Sequence, residues 1–420
     1  MTEVGVKPEI ARNPLVEKRA DPWIIKEEGM YYYTGSYPEF DRIVLRGAPT
    51  LADLSMAPEV TIWTRPTQGE MGGNIWAPEL HRIGGKWYFY FTAGRSEKPF
   101  RIRMYVLEGV GEDPLNATWG EPKKIETAWD EFSLDATVFE HRGTLYYVWA
   151  QRPVQDPSLP DGVIINSALY ISKMSDPFTL EGQPVLITSP EYDWENVTYR
   201  VNEGAAVLKR NGRIFITFSA SATDHHYCMG LLSISEDANL LDASQWTKSS
   251  EPVFESTDLT SSYGPGHNSF TVDENGRDIL VYHARDYRSI DGNSLFDHNR
   301  HGRIQPFYFN ADGSPLFGLP VGDGAVPTRF QDEDGNYLAL SESSVVPAAR
   351  GGEVLGNSWQ RPAVELELER LTPAQAVLDD LSVTRTLFRV EKVTDSAFVL
   401  EPVAAPGQQV IVSSQTLRPE

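Results

Sequence analysis

Only one cysteine, Cys228, occurs in 420 residues. An internal disulfide is therefore excluded, and stability must come from burial and hydrogen bonding. Long apolar runs are also missing. No stretch approaches the roughly 20 residues that a membrane span requires, so a membrane is not an expected partner. The first twenty residues carry Glu3, Lys7, Glu9, Arg12, Glu17, Lys18 and Arg19 and lack the apolar core of a secretory leader. Read with the lone cysteine, this gives the expectation of a cytoplasmic protein. Positive charge is scarce as well: 37 Lys and Arg stand against 59 Asp and Glu, for a net charge of −22. Such an acidic surface repels a phosphate backbone, so nucleic acid is not expected either.

Aromatics, by contrast, are plentiful, with 10 Trp, 18 Tyr and 18 Phe. They pack well on pleated β surfaces, and an aromatic face also stacks on the apolar face of a sugar ring. Many fall in a recurring unit: a short β-rich run, a polar turn holding glycine, then an alternating strand. The unit occurs as Ala20–Ile25, Gly29, Met30–Ser36. It returns as Ile75–His81, Gly85, Trp87–Thr92, and again as Ser133–Phe139, Gly143, Thr144–Trp149. The fourth copy is Asn202–Leu208, Gly212, Ile214–Ser221, and the fifth is Gly266–Val272, Gly276, Asp278–His283. Two β runs joined by such a turn read as a hairpin. The turn glycines lie roughly 55–70 residues apart, which leaves room for further strands such as Arg101–Leu107 and Ser167–Ser172 in each unit. Four strands in each of five units predict an all-β fold, a five-bladed β-propeller.

Aligned on their turns, the repeats place a polar residue shortly before each glycine: Asp21, Glu79, Asp135, Glu203 and His267. The first strand of a propeller blade lines the central axis, so these five positions are expected to converge at one end of it. Carboxylates around a pocket for an uncharged substrate suggest glycoside hydrolysis. One carboxylate activates water, a second donates a proton to the leaving oxygen, and a third raises the donor's pKa by like-charge repulsion.

At these residues the sequence resembles glycoside hydrolase family 43, over roughly residues 13–320. Asn13-Pro14 with Ala20-Asp21-Pro22 resembles the family's opening motif, Leu134-Asp135-Ala136-Thr137-Val138-Phe139 its middle motif, and Asn202-Glu203-Gly204 its acid motif. Ala136 stands where many members have proline. The resemblance implies an inverting enzyme with Asp21 as general base, Asp135 as the group that tunes and orients the acid, and Glu203 as general acid. It further implies that Trp76 and Arg303 bind the terminal sugar and that His267 lies near the axis. There His267 would face a calcium or sodium ion through water, an ion the mechanism does not require. The string Ile75–Phe91 with Tyr263–Phe270 is most similar to exo-acting α-L-arabinofuranosidases. The expected partners are therefore arabinose- or xylose-containing oligosaccharides. β-Xylosidase and endo-arabinanase are the alternatives on the same scaffold, and a non-catalytic glycan-binding propeller is the alternative from another class.

Three other features have plainer readings. Asp224-His225-His226-Tyr227-Cys228 has the composition of a metal site, but its spacing matches no zinc motif and it reads as a loop. Trp194 reads as core. Loops 37–42 and 291–301 are expected to shape the pocket, Arg303 being the stronger candidate there than Arg300. Beyond Pro320 the aromatic hairpins stop. Short β patterns at Tyr337–Leu340, Val364–Leu368, Leu387–Val390 and Val410–Val412 predict a C-terminal β-rich accessory domain. The expected division is thus a catalytic propeller over 1–320 and an accessory domain over 321–420.

Overall fold

A computed structural model describes residues 10–154, 164–345, 366–394, 397–414 and 416–420. The fold is all-β, as expected. Its one α-helix among the described residues is Asp380–Arg385, and no helix there is long and apolar enough to cross a membrane.

All five predicted hairpins form, and each opens an antiparallel sheet. The first sheet runs Ala20–Glu27, Met30–Ser36, Arg42–Ala48, Val60–Thr64. The second runs Ile75–Ile83, Lys86–Arg95, Lys98–Val110, Lys123–Lys124, and the third Ser133–His141, Thr144–Gln151, Ala168–Asp176, Thr179–Thr188. The fourth runs Asn202–Arg210, Arg213–Ala220, Cys228–Ser235, Thr247–Lys248, and the fifth has three strands, Tyr263–Val272, Asp278–Arg285 and His301–Pro306. The five turn glycines, Gly29, Gly85, Gly143, Gly212 and Gly276, all take positive φ between 71° and 84°. That left-handed conformation carries little cost without a Cβ, which is why the same residue recurs in all five turns.

Second strands such as Lys86–Arg95 and Arg213–Ala220 are buried on both faces rather than alternately. Each is covered by a neighbouring sheet on either side. Their aromatics supply much of the core: Trp87 and Trp149 are almost wholly removed from water, each burial contributing on the order of 2–3 kcal/mol. The first strands of successive sheets pack against one another in chain order, and that of the fifth sheet packs against that of the first, closing a ring.

The chain start seals this closure. Asn13 donates through Nδ2 to the Ile304 carbonyl at 2.8 Å and accepts from the Ile304 N–H at 2.9 Å. Val16 then bridges to Gly302. The segment therefore lies along the free edge of the three-stranded fifth sheet.

After Pro320 the expected β patterns form strands. Phe330–Gln331, Tyr337–Leu340, Leu368–Leu371 and Arg418–Pro419 build one sheet, and Phe388–Val393, Ala397–Pro402 and Val410–Ser413 another. The start of the predicted Val364–Leu368 strand lies outside the described residues. This region meets the five sheets through buried polar contacts. The Val321 N–H donates to Tyr282 Oη at 3.0 Å, the Gly318 N–H donates to Asp380 at 2.8 Å, and Arg329 lies over the Tyr308 ring.

Candidate active site

Each of the five first strands is interrupted by a bulge near its start. The pairing shifts between Ala20 and Trp23, Trp76 and Glu79, Leu134 and Thr137, Glu203 and Ala206, and Gly266 and Ser269. One residue of each bulge has positive φ: Asp21 55°, Ala77 44°, Asp135 54°, Gly204 58° and His267 43°. For the four that are not glycine this conformation costs on the order of 1–3 kcal/mol, a strain that clusters at functional sites. Three of these residues, Asp21, Asp135 and His267, line the cavity of the site.

The bulges correct the expected alignment. Asp21, Ala77, Asp135 and Gly204 each stand eight residues before their turn glycine and are equivalent. His267 joins them, its turn being one residue longer. Glu203 precedes this position by one residue and so corresponds to Ala20, Trp76, Leu134 and Gly266. Glu79 follows it by two, corresponding to Trp23, Thr137, Ala206 and Ser269. Glu79 is accordingly buried beneath the ring, with Oε2 2.9 Å from His81 Nε2, and does not line the cavity.

The bulges are held from neighbouring sheets by one repeated device. The residue paired with Ala20 is Ser36, whose Oγ accepts the Ala77 N–H of the second sheet at 2.8 Å. The residue paired with Trp76 is Thr92, whose Oγ1 accepts the Asp135 N–H at 3.3 Å. Opposite Glu203, Ser219 accepts the His267 N–H at 2.7 Å. Opposite Gly266, His283 accepts the Asp21 N–H through Nδ1 at 3.1 Å. The corresponding residue of the third sheet, opposite Leu134, is Ala150, which has no acceptor. There the carboxylate of Asp135 takes the Gly204 N–H instead. Four of the five junctions use a scaffold side chain, and the fifth uses a carboxylate of the site itself.

A cavity of about 360 Å³ opens at this end of the ring. Asp21, Asp135, Glu203, His267, Trp76 and Leu134 line it, together with Phe100, Tyr199, Leu295 and Arg300 among others. Asp21 faces the His267 Nδ1 at 3.2 Å and the Arg300 guanidinium at 3.5 Å, and accepts a short hydrogen bond from Ser36 Oγ. Asp135 lies 3.7 Å from the same His267 nitrogen. Glu203 is the least buried of the three carboxyls and accepts from Tyr227 Oη at 2.9 Å. Loss of hydration pushes its pKa up to about 7. Repulsion from Asp21 adds to this, while the Tyr227 hydrogen bond and the Arg300 charge oppose it. Asp135 is raised well above the carboxylate range, first by burial, then by Glu203, Asp21 and Glu79. Asp135 and Glu203 thus compete to remain protonated, and the pair keeps a proton near neutral pH. Burial lowers the His267 pKa, opposed by the Asp21 charge and aided by Arg300. The Nε1–H of Trp76 is buried and has no acceptor among the described residues.

Of the expected site residues, Asp21, Asp135, Glu203, Trp76 and His267 come together, and Arg303 does not. Arg303 is fully buried in the fifth sheet, pairs with Asp323 at 2.7 Å, and is absent from the cavity lining. Arg300 occupies the cavity in its place. Residues 300 and 303 differ by an odd number of positions, and an odd step along an extended chain reverses the face. Loop 291–301 does shape the pocket, through Asn293, Ser294, Leu295 and Arg300. His225 and His226 do not line it. Asp224 instead accepts from the N–H of His226 and contacts its ring, as a turn does. Trp194 stacks on Phe218 as core. Tyr227 and His283 were not singled out as site residues from the sequence. Tyr227 lies 24 residues from Glu203, within the stretch Asp224-His225-His226-Tyr227-Cys228 that the sequence reads as a loop.

Residues 11–315 match the family described as glycosyl hydrolases family 43. An enzyme of Streptomyces avermitilis named extracellular exo-α-(1→5)-L-arabinofuranosidase is 53% identical over 321 residues, 76% of this chain and 65% of that protein. The chain therefore spans just under two thirds of that relative's length. An enzyme of the same name from Streptomyces chartreusis is 53% identical over 68% of this chain and 86% of its own. The crystal structure of an α-L-arabinofuranosidase from Lactobacillus brevis, 49% identical, superposes with a TM-score of 0.71, covering 75% of this chain and 98% of its own. Two of these relatives are named as extracellular, which overturns the expected cytoplasmic location. That expectation rested on the composition of the first twenty residues, which does not decide where a protein works. The family match covers the five sheets and every carboxyl of the site, and on that footing the chain belongs to glycosyl hydrolases family 43.

Proposed function

We propose that the chain is an inverting exo-glycosidase that releases terminal α-L-arabinofuranose from arabinan or arabinoxylan oligosaccharides. The observation carrying this is the joint presence of Asp21 and Glu203 in one cavity, with Asp135 bound to the backbone next to Glu203 and the Glu203 pKa raised to about 7. In the reaction a water oxygen attacks the anomeric carbon while Asp21 takes its proton. The glycosidic bond breaks, and its oxygen takes the proton held by Glu203. The products are a free sugar of inverted configuration and a shortened glycan, and the two carboxyls have exchanged protonation states. Bulk water then resets them. Trp76 offers a wall to the sugar, and Arg300 takes the place expected of Arg303.

The five sheets are read as blades of a five-bladed propeller, supported by their cyclic packing and by the repeated bulge. Residues 321–420 are read as an accessory domain, supported by the β patterns and separate apolar clusters of that stretch. A calcium or sodium ion near the axis would be faced by His267 through water. The chemistry above is complete without it.

The test is a panel of aryl α-L-arabinofuranoside, aryl β-D-xyloside and linear arabinan, with products separated by chromatography. Release of arabinose alone, from the arabinofuranoside and from arabinan ends, supports the proposal. Xylose release in preference to arabinose, or a ladder of oligomers, contradicts it.

A further inference from the structure

Buried hydroxyls are costly unless they are bonded, and Tyr227 is a buried tyrosine whose hydroxyl is spent on one atom of the site. It stands just before the strand Cys228–Ser235 and is 1% exposed. Its Oη donates to Glu203 Oε1 at 2.9 Å. Ser219, opposite Glu203 in the sheet, interacts with the same phenol and favours its ionised form.

The ring is clamped as firmly as the hydroxyl. It lies parallel to the His283 imidazole, with centroids 5.5 Å apart and an interplanar angle of 9°. On the adjacent strand a Cβ at Gly266 would come within 2.6 Å of it, so only glycine leaves room. His283 in turn accepts the Asp21 N–H. A continuous path of contacts thus runs Glu203, Tyr227, His283, Asp21, joining the two carboxyls from behind the cavity. Tyr227 is not part of the cavity lining.

We infer that Tyr227 is a positioning residue for the proton donor, and that its stacked ring and His283 hold the donor and the proton acceptor in one fixed relation. This rests on the reading of Glu203 as the general acid. The hydrogen bond orients Oε1 and stabilises the carboxylate form that Glu203 reaches after giving up its proton. The other charged or titratable groups facing the carboxyls are Asp21, Asp135, Arg300, His267, His283 and Glu79.

The test is Tyr227→Phe in the full chain, which keeps the ring and removes the hydroxyl. Without that hydrogen bond the carboxylate of Glu203 loses a stabilising partner, so the basic limb of kcat/KM moves to higher pH. On arabino-oligosaccharides, whose alcohol leaving group needs the proton, kcat falls roughly tenfold, part of the about 10²–10⁴ that an oriented acid contributes. On 4-nitrophenyl arabinofuranoside, whose leaving group is acidic, the loss is smaller. In a Glu203→Gln background the same substitution has no further effect, because Tyr227 acts through the group already lost. An unmoved basic limb with equal losses on both substrates, or losses that add to those of Glu203→Gln, would overturn the inference. A carbon-13 NMR titration of Glu203 in the wild type and in Tyr227→Phe reads the same upward shift without substrate. Failure of the inference is thereby distinguished from failure of the proposed activity, which would show as a wild type that hydrolyses none of the panel.

Discussion

Glu203 stands one residue before the left-handed position of its strand, whereas Asp21 and Asp135 occupy that position in theirs. The offset leaves Glu203 nearer the open cavity and within reach of Tyr227, and leaves Asp21 beside Arg300 and His267. Its pH consequences follow directly. An acid with a pKa near 7 in the folded chain, against an ordinary value of 4.5, loses its proton as pH rises through 7. Activity should therefore decline above about pH 7. The sign for stability is the same. The folded state holds this proton more tightly than the unfolded state does, so the associated stability is fully present below about pH 4.5 and is lost by about pH 7. Glu203→Gln cannot ionise, so it should gain on the wild type across that range, by up to about 3 kcal/mol at pH 8. Urea denaturation at pH 5 and pH 8 measures the difference, and an advantage that does not change with pH would contradict it. The same substitution should reduce turnover of arabino-oligosaccharides by about 10²–10⁴.

At the scale of the element, the hairpins were legible because their turns need glycine and their strands need aromatics. The three carboxylates were legible because they sit at nearly fixed distances from those glycines. The bulge was not, since a two-against-one pairing leaves no mark in composition. Glu79 was therefore aligned with the aspartates although it lies two residues past the bulge. Likewise Arg303 was preferred over Arg300 because sequence does not tell which residue of a loop-to-strand junction faces the axis. The contacts that clasp the bulges predict how the elements fail. Thr92 is fully buried, and its Oγ1 is the acceptor for the Asp135 N–H. Thr92→Val keeps the shape and orphans that N–H, so it should cost about 1–3 kcal/mol in urea denaturation and lower kcat together with stability. A stability unchanged within error would show that the clasp holds nothing.

Across the whole molecule, the ring closes where the last sheet meets the first, and the edge there is finished by Asn13. Both of its amide atoms bond to the backbone of Ile304. Asn13→Ala leaves a buried N–H and a buried carbonyl unpaired, and an expected loss of roughly 2–4 kcal/mol follows. A lower urea midpoint with an unchanged slope is the expected reading. A normal midpoint would mean that the edge is held by the bonds of Leu15, Val16 and Lys18 to Gly302 and His301. Asn13-Pro14 was noticed in the sequence as a motif, but its work is done across 291 residues of chain, a distance no local pattern reveals.

In the proposed single displacement, Asp21 draws a proton from water as Glu203 gives one to the leaving oxygen. Proton NMR of the full chain acting on α-1,5-arabino-oligosaccharides, recorded before the freed sugar equilibrates, decides this. β-L-Arabinofuranose is expected to appear first and the α anomer only later. Appearance of the α anomer first would mean two displacements through a covalent intermediate, and would contradict the roles given to Asp21 and Glu203.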